Sequence, residues 1–304
     1  MLLTAGMGPI TDFPVLSEAG ADEIFTGYCP LEWRRRFEAV GALNRREVLY
    51  YPVQPGCLTD MEILKSMAEE AGIRVAITFN ALTYTPAAVP YVLTFIRELY
   101  EIGFRDFIVA DLNLLRLLSE SGLPLRIHVS GEFGEWSRES FRFLKQHFSN
   151  ITRIIFHRKM TPEEMGELIR YGREIGLAEE YEAFFLNEKC HYAGAYCNSL
   201  HGDSLRHLCL ERYCLSGGRR EPEEDVPGEE SPGCGLCALF RLQEAGITHL
   251  KIVGRGNPGE RTAEDLRRGG KALEALAASE NNEEYVRHIL ERKKEMGCGL
   301  NCYY

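Results

Sequence analysis

Short apolar runs recur along the chain with amphipathic stretches between them. Leu2 to Ala5, Glu23 to Gly27, Arg74 to Asn80, Phe107 to Asp111, Leu125 to Ser130, Thr152 to His157, Tyr181 to Leu186 and His249 to Val253 each read as a strand. Helical stretches separate them: Thr59 to Ala71, Ala87 to Ile102, and one beginning near Ser137. Ser17-Glu-Ala-Gly-Ala-Asp22 predicts a helix end stopped by glycine, and Thr59 or Asp60 is placed to cap the next helix. Thr161-Pro-Glu-Glu164 opens a further helix, with proline in the first turn and acids facing the dipole. Helices from Ala263 to Ala278 and from Asn282 to Met296 follow the last strand. Strands alternating with helices imply a parallel sheet, and eight of them imply an α/β fold closed as a TIM-like (β/α)8 barrel. The alternative is an open doubly wound sheet, but the first glycine-bearing turns lack the dinucleotide spacing that would support it.

A barrel places function at the C-terminal strand ends. The residues there are polar: Asn80, Asp111, His128 and Ser130 with Glu132, His157 with Arg158 and Lys159, Asn187 with Glu188, and Gly254-Arg255-Gly256. Taken singly, each is as well explained by a loop cap or a satisfied hydrogen bond. Together they mark one rim.

Composition narrows the classes. At 304 residues, 45% hydrophobic and 26% charged, the chain has the make-up of an ordinary water-soluble protein, read as a single barrel domain over residues 1–304. No apolar run approaches the roughly 20 residues that span a bilayer, and Met1-Leu-Leu-Thr-Ala-Gly6 has no basic region before its apolar residues. A cytoplasmic location is expected, without membrane insertion. The net charge of −10 disfavours nucleic acid as partner, although Arg34-Arg35-Arg36 offers a local basic patch.

Six of the ten cysteines fall between Asn187 and Phe240, so residues 187–240 read as a cysteine-rich insertion after the seventh strand. Six residues separate Cys190 from Cys197, and sixteen separate Cys197 from Cys214; Cys237 follows an acidic stretch, Ser216 to Gly233, expected to be a loop. Cys209 and Cys234 are extras. In a reducing compartment such thiols are ligands before they are disulfides, and thiolates suit iron–sulfur clusters, zinc and copper(I). Structural zinc favours paired knuckles, and this stretch holds one such pair, Cys234-Gly-Leu-Cys237. The wide gaps suit a cluster enclosed by a wrapping loop better than zinc, with free buried thiols as the remaining alternative. The last cysteines, Cys298 and Cys302, precede Tyr303 and Tyr304 in a stretch read as a frayed tail, with a role toward a partner or second metal as the alternative.

Several segments resemble peptidase family U32, the collagenase-like proteases. Ala19-Gly-Ala-Asp-Glu-Ile-Phe-Thr-Gly27 is similar to a glycine-bearing strand of that family, and Asn80 stands after the third strand as the family's asparagine does. Val109-Ala-Asp111, Ile127-His-Val-Ser130 and Lys251-Ile-Val-Gly-Arg255 resemble further signatures, as does the cysteine spacing ending in Cys214-Leu-Ser216. Val253 stands where the last signature has glutamate, and Leu186-Asn-Glu-Lys189 departs from the family's usual approach to its first cysteine. The resemblance implies a barrel with a [4Fe–4S] cluster held by Cys190, Cys197, Cys214 and Cys237, Cys234 being the rival for the fourth place. It also implies activities that include oxygen-independent hydroxylation of ubiquinone precursors and of RNA bases. The leading expectation is an oxidoreductase or hydroxylase acting on a small organic molecule, with an electron-transfer or homologous subunit as possible partner. His128, His157 and Glu188 are its candidate proton carriers. Arg158, Lys251 and Arg255 are its candidate anion-binding residues, with Asn80, Asp111 and Ser130 to orient the substrate. A peptidase and a non-catalytic cluster-carrying subunit are the alternatives; neither an H-E-x-x-H nor a G-x-S-x-G motif is present.

Overall fold

The computed structural model describes residues 1–37, 41–45, 53–134, 136–187, 213–215, 224–226, 233–292 and 302–304. Eight strands close into a parallel (β/α)8 barrel: β1 (Leu2–Gly6), β2 (Glu23–Gly27), β3 (Arg74–Phe79), β4 (Asp106–Val109), β5 (Arg126–Val129), β6 (Ile151–Ile155), β7 (Glu180–Leu186) and β10 (His249–Ile252). They pair in chain order, and β10 closes the ring on β1 with Leu2 opposite His249. Between β7 and β10 lies an antiparallel hairpin of β8 (Tyr213–Leu215) and β9 (Glu224–Val226), with Cys214 opposite Asp225. β9 falls within the acidic stretch expected to be loop; backbone pairing needs no apolar side chain, so a short strand forms there. Most of residues 187–240 lies outside the described residues, Cys190, Cys197, Cys209 and Glu188 included, as does Cys298.

The helices that surround the barrel are α1 (Phe13–Glu18), α2 (Leu31–Phe37), α3 (Leu58–Ala71), α4 (Val89–Ile102), α5 (Leu112–Glu120), α6 (Arg138–His147), α7 (Pro162–Glu174), α8 (Leu239–Ala245), α9 (Gly259–Ala277) and α10 (Asn282–Glu291). Several of their starts are capped by side chains. Ser137 and Thr161 each form a capping box, the latter with Glu164. Asp111 caps α5 by accepting the Leu114 N–H at 2.6 Å. The start of α3 is different: Cys57 holds the cap position without a side-chain bond, so Thr59 and Asp60 lie inside the first turn and do not cap it. Among the described residues no helix is long and apolar enough to cross a membrane.

Strand residues alternate between two surroundings. Ile24, Ile77, Phe107, Ile127, Ile154 and Leu250 join the large core shared with the helices. Residues of the opposite parity point into the barrel. They are apolar near the C-terminal end, where Phe25, Ala76, Ile108, Ile155, Phe184 and Val253 pack together. Toward the N-terminal end they are charged.

That charged layer is a closed network. Arg153, fully buried, donates to Glu23 at 2.5 and 2.8 Å, to Glu182 at 2.8 Å and to Glu180 at 2.6 and 2.8 Å. Arg74 pairs with Glu23 at 2.6 Å and Glu180 at 2.8 Å, and Arg126 with Asp106 at 2.5 Å. Lys251 reaches Glu182 at 2.5 Å. Arg74, Arg126, Arg153 and Lys251 thus face Glu23, Asp106, Glu180 and Glu182, an even balance of charge. Burial by itself would raise these acids, but the facing cations outweigh it: Glu180 is held at about 2, and Glu182 well below the carboxylate range. The two lumenal histidines stay neutral, because burial and the nearby Arg153 push both down, His249 to about 4.

Candidate functional site

Above the charged layer, the C-terminal mouth of the barrel opens into a pocket of about 580 Å³, counting its open entrance. Phe25, Ile108, Ile155, Phe184 and Val253 form its apolar wall. Thr78, Asn80 and Ser130 supply neutral polar groups, and Arg45, Arg158, Lys251 and Arg255 supply four cations against the single carboxylate of Glu132 among the described lining residues. Lys251 is matched from below by Glu182. The rim therefore presents more positive than negative charge, in contrast to the balanced layer beneath it.

Each cation is aimed by its surroundings. Lys251 ends 3.6 Å from the centre of the Phe25 ring; burial lowers its pKa while Glu182 opposes that shift. The β10–β7 register shifts between Lys251 and Ile252, a local irregularity of the kind that re-aims side chains beside sites. Arg255 follows β10 between Gly254 (φ 138°) and Gly256 (φ 90°), positive backbone angles that favour glycine, and these turn its side chain back into the mouth. There it donates to Thr78 at 2.6 Å and Asn44 at 3.0 Å. The Arg158 guanidinium carbon lies over the Phe184 ring, 3.8 Å from its centre. Arg45 arrives from the connection between β2 and α3, and its backbone N–H donates to Asn80 Oδ1 at 3.1 Å. Ser130 Oγ accepts the Glu132 N–H at 3.2 Å and so fixes the turn that carries Glu132.

The pocket brings together five of the residues singled out from the sequence: Asn80, Ser130, Arg158, Lys251 and Arg255. It does not bring in three others. Asp111 turns back to bond the N–H groups of Leu114 and Tyr84, a structural cap. His128 lies two residues before Ser130 on the same face of β5, which at about 3.3 Å per residue puts it one layer deeper. It is fully buried there, with Nε2 3.1 Å from Asp106 Oδ1. His157 is buried at the end of β6, where its Nδ1 accepts the Lys159 N–H at 3.2 Å, and it is not among the lining residues. Glu188 lies outside the described residues. Sequence reasoning missed Arg45 altogether. It sits in no motif, and only the closed barrel shows that the long connection after β2 reaches the mouth.

Of the expected cluster ligands, the side chain of Cys237 is described, and Cys234 is described beside it; Cys190 and Cys197 lie outside, and for Cys214 only its strand position is given. Leaving β7, Asn187 adopts φ 67° and donates its side-chain amide to Asp265. The chain returns through Cys234, which bridges Leu186 on one side and Cys302 on the other. Cys237 follows in a one-turn helix whose Leu236 carbonyl accepts the Tyr285 hydroxyl at 2.5 Å. Burial raises the Tyr285 pKa, and Cys237 and Cys234 add to the rise, so both sulfurs lie near this ring. These are half-buried sulfur donors at the C-terminal end of β7, next to the mouth, and as far as they are described they suit a soft metal centre. Among the described residues no three ligating groups converge on a metal position.

The stretch read as a frayed tail is ordered at residues 302–304. Tyr303 packs into the lumenal cluster of Phe25, Ile155, Phe184 and Val253, and Tyr304 donates its hydroxyl to the Phe184 carbonyl at 2.6 Å. The Tyr303 N–H donates to the Cys234 carbonyl at 2.8 Å. Gly233 makes this close approach possible, because a Cβ there would fall 2.3 Å from the Tyr303 ring. The tail thus ties the cysteine segment to the pocket wall.

Comparison with known proteins agrees with this architecture. A fold resemblance links the chain to a Pseudomonas aeruginosa protein provisionally assigned as a dihydrodipicolinate synthetase, at 10% identity and a TM-score of 0.50 over 98% of this chain and 83% of that one. The U32 peptidase Mk0906 aligns at 13% identity and a TM-score of 0.48, covering 84% of this chain and 93% of that one. Among curated proteins none matches the chain. The family model of peptidase family U32 matches residues 9–301, nearly the whole length, and the chain belongs to that family.

Proposed function

We propose that this member of peptidase family U32 is an oxidoreductase, an oxygen-independent hydroxylase or a related enzyme, that takes a small organic anion into the barrel mouth. The observation that carries the reading is the composition of the pocket: among the described lining residues, Arg45, Arg158, Lys251 and Arg255 face the single carboxylate of Glu132, above a lumen whose charges balance. A pocket with more lining cations than described carboxylates and an apolar wall favours a ligand that carries a carboxylate or phosphate on a hydrocarbon body. Arg45, Arg158 and Arg255 would hold its charged group, while Asn80, Thr78 and Ser130 would orient its polar substituents. Phe25 and Phe184 would exclude water from its body.

The cofactor proposed is a [4Fe–4S] cluster held by Cys190, Cys197, Cys214 and Cys237, with Cys234 as the rival fourth ligand and zinc as the alternative metal. When bound, it would supply one-electron transfer beside the mouth. Lys251 is the lining group best placed to exchange a proton, since it reaches the pocket while paired with Glu182. His157 and Glu188 remain candidate proton carriers outside the described lining. His128 would act only through Asp106, from the layer below. Ligation by thiolates favours the reducing cytoplasm, and an electron-donating partner protein completes the proposal.

The family name suggests a peptidase. The buried His–Asp pair among the described residues, His128 with Asp106, gives that reading little support. The Nδ1 of His128 meets no hydroxyl or thiol partner among the described residues, as an activated nucleophile would require.

The test is calorimetric titration of anaerobically prepared protein with a panel of small aliphatic and aromatic acids and their amides. Binding of acids over amides, lost in Arg158→Met, is expected. Equal binding of acids and amides would contradict the reading.

A further inference from the structure

Glu132 is the only carboxylate among the described residues that line the mouth, and its geometry there is unlike that of the lumenal acids. It stands between two arginines delivered by different connections. Its Oε2 lies 3.4 Å from Arg45 Nε, and its Oε1 lies 3.7 Å from Arg158 Nη1. Both are ion-pair distances beyond good hydrogen bonds, whereas the lumenal pairs of Arg153 close at 2.5 to 2.8 Å. These side chains are largely buried, at 11% and 14% exposure for the Arg45–Glu132 pair. The Nε of Arg45 is itself buried and makes no hydrogen bond among the described residues. A carboxylate that hovers between guanidinium groups without docking on them occupies the place where a ligand's oxyanion would dock.

The backbone beneath Glu132 is fixed. Ser130 Oγ accepts its N–H, and Gly131 is pressed so closely on β6 that a Cβ would fall 2.9 Å from the Phe156 carbonyl. Phe133 stacks on Trp136 with ring centres 5.3 Å apart. Rotation of the Glu132 side chain is the movement this leaves. We propose that Glu132 is a built-in counter-ion: it holds Arg45 and Arg158 in the empty pocket and swings aside when the carboxylate or phosphate of a ligand replaces it. Glu132 thereby determines specificity. A ligand must carry an oxyanion able to displace a carboxylate, and a neutral analogue gains nothing from the exchange.

This inference rests on the anion-pocket reading above, and the experiment separates the two. The full-length chain is titrated calorimetrically with benzoate, inorganic phosphate and benzamide, as wild type, Glu132→Gln and Arg158→Met. The glutamine variant keeps the size of the side chain and removes the competing charge. It is expected to bind benzoate about tenfold more tightly than wild type, with benzamide unchanged. A larger gain for phosphate than for benzoate supports the same role and assigns the ligand's oxyanion to the phosphate type. Benzoate binding that is unchanged or weaker in Glu132→Gln, while Arg158→Met loses it, overturns the counter-ion role and leaves the anion pocket standing. If neither oxyanion binds wild type or Glu132→Gln, the pocket reading falls and the inference with it. Melting temperatures of all variants check the fold. Should the glutamine variant unfold, Glu132→Asp serves instead, with a smaller gain in benzoate affinity expected and a loss counting against the role.

Discussion

Replacing Arg153 with methionine tests the physics of the lumen. The side chain is fully buried and donates to three carboxylates, those of Glu23, Glu180 and Glu182, at 2.5 to 2.8 Å. Methionine fills much of the volume but removes the shared cation. Arg74 then remains for Glu23 and Glu180, and Lys251 for Glu182, while the acids face each other across a low-dielectric interior. Removing one partner from a buried ionic group costs about 3–5 kcal/mol, because the remaining charges stay desolvated. Against a typical stability of about 5–15 kcal/mol, that is a large share, and for a chain of this size it lowers the melting midpoint by on the order of 10 °C. The sign of the pH dependence adds a second readout. In the wild type the facing cations depress Glu180 to about 2, so its contribution is full above the ordinary carboxylate value of 4.5 and is lost as pH falls toward 2. Without Arg153 the same acids are favoured in their protonated form, so the variant's deficit shrinks as pH drops from 7.5 to 5. Urea denaturation at both pH values measures this. A variant as stable as wild type at pH 7.5, or a deficit that grows on acidification, would refute the reasoning.

Other expectations follow from named contacts. His249 is held at about 4 by burial and Arg153, below its ordinary 6.5, so the wild type loses stability as pH falls from 6.5 toward 4; His249→Asn should flatten that limb of a stability–pH curve. Thr161→Ala removes a capping box from α7 and should cost about 1 kcal/mol in denaturant titration. Gly233→Ala places a Cβ against Tyr303, and the expected result is displacement of the tail, read as faster proteolysis near the C-terminus without loss of the barrel's circular dichroism. If Cys190 is a cluster ligand, as proposed, anaerobic wild-type protein should be brown and carry iron and sulfide, and Cys190→Ala should lack all three.

The barrel was legible because each strand is a short apolar run closed by polar residues; β2 spans Glu23–Gly27, as its pattern predicts. The cap at Thr161 was legible for the same local reason, and so was a helix start near Ser137, whose capping box only the structure shows. The ionic layer was not read, although its trace is there. Glu180 and Glu182, or Arg126 and His128, recur at every second position within the apolar runs, and that period is the inward face of a barrel strand. The mouth was half legible. Ser130 and Arg255 stand at strand ends, whereas His128 fell one layer too deep and Asp111 was claimed by the start of its helix. Arg45 reaches the pocket, and Tyr303 the apolar cluster beside it, through tertiary closure from segments without periodicity, so local pattern could not place them.

A cysteine-held iron–sulfur centre beside the cation-rich barrel mouth is the proposal on which the rest depends. Iron and acid-labile sulfide, quantified on anaerobically purified wild-type protein, test it most directly. Equal amounts of the two, matching one [4Fe–4S] cluster per chain, are expected. Protein that carries zinc, or no metal at all, under the same conditions would contradict it.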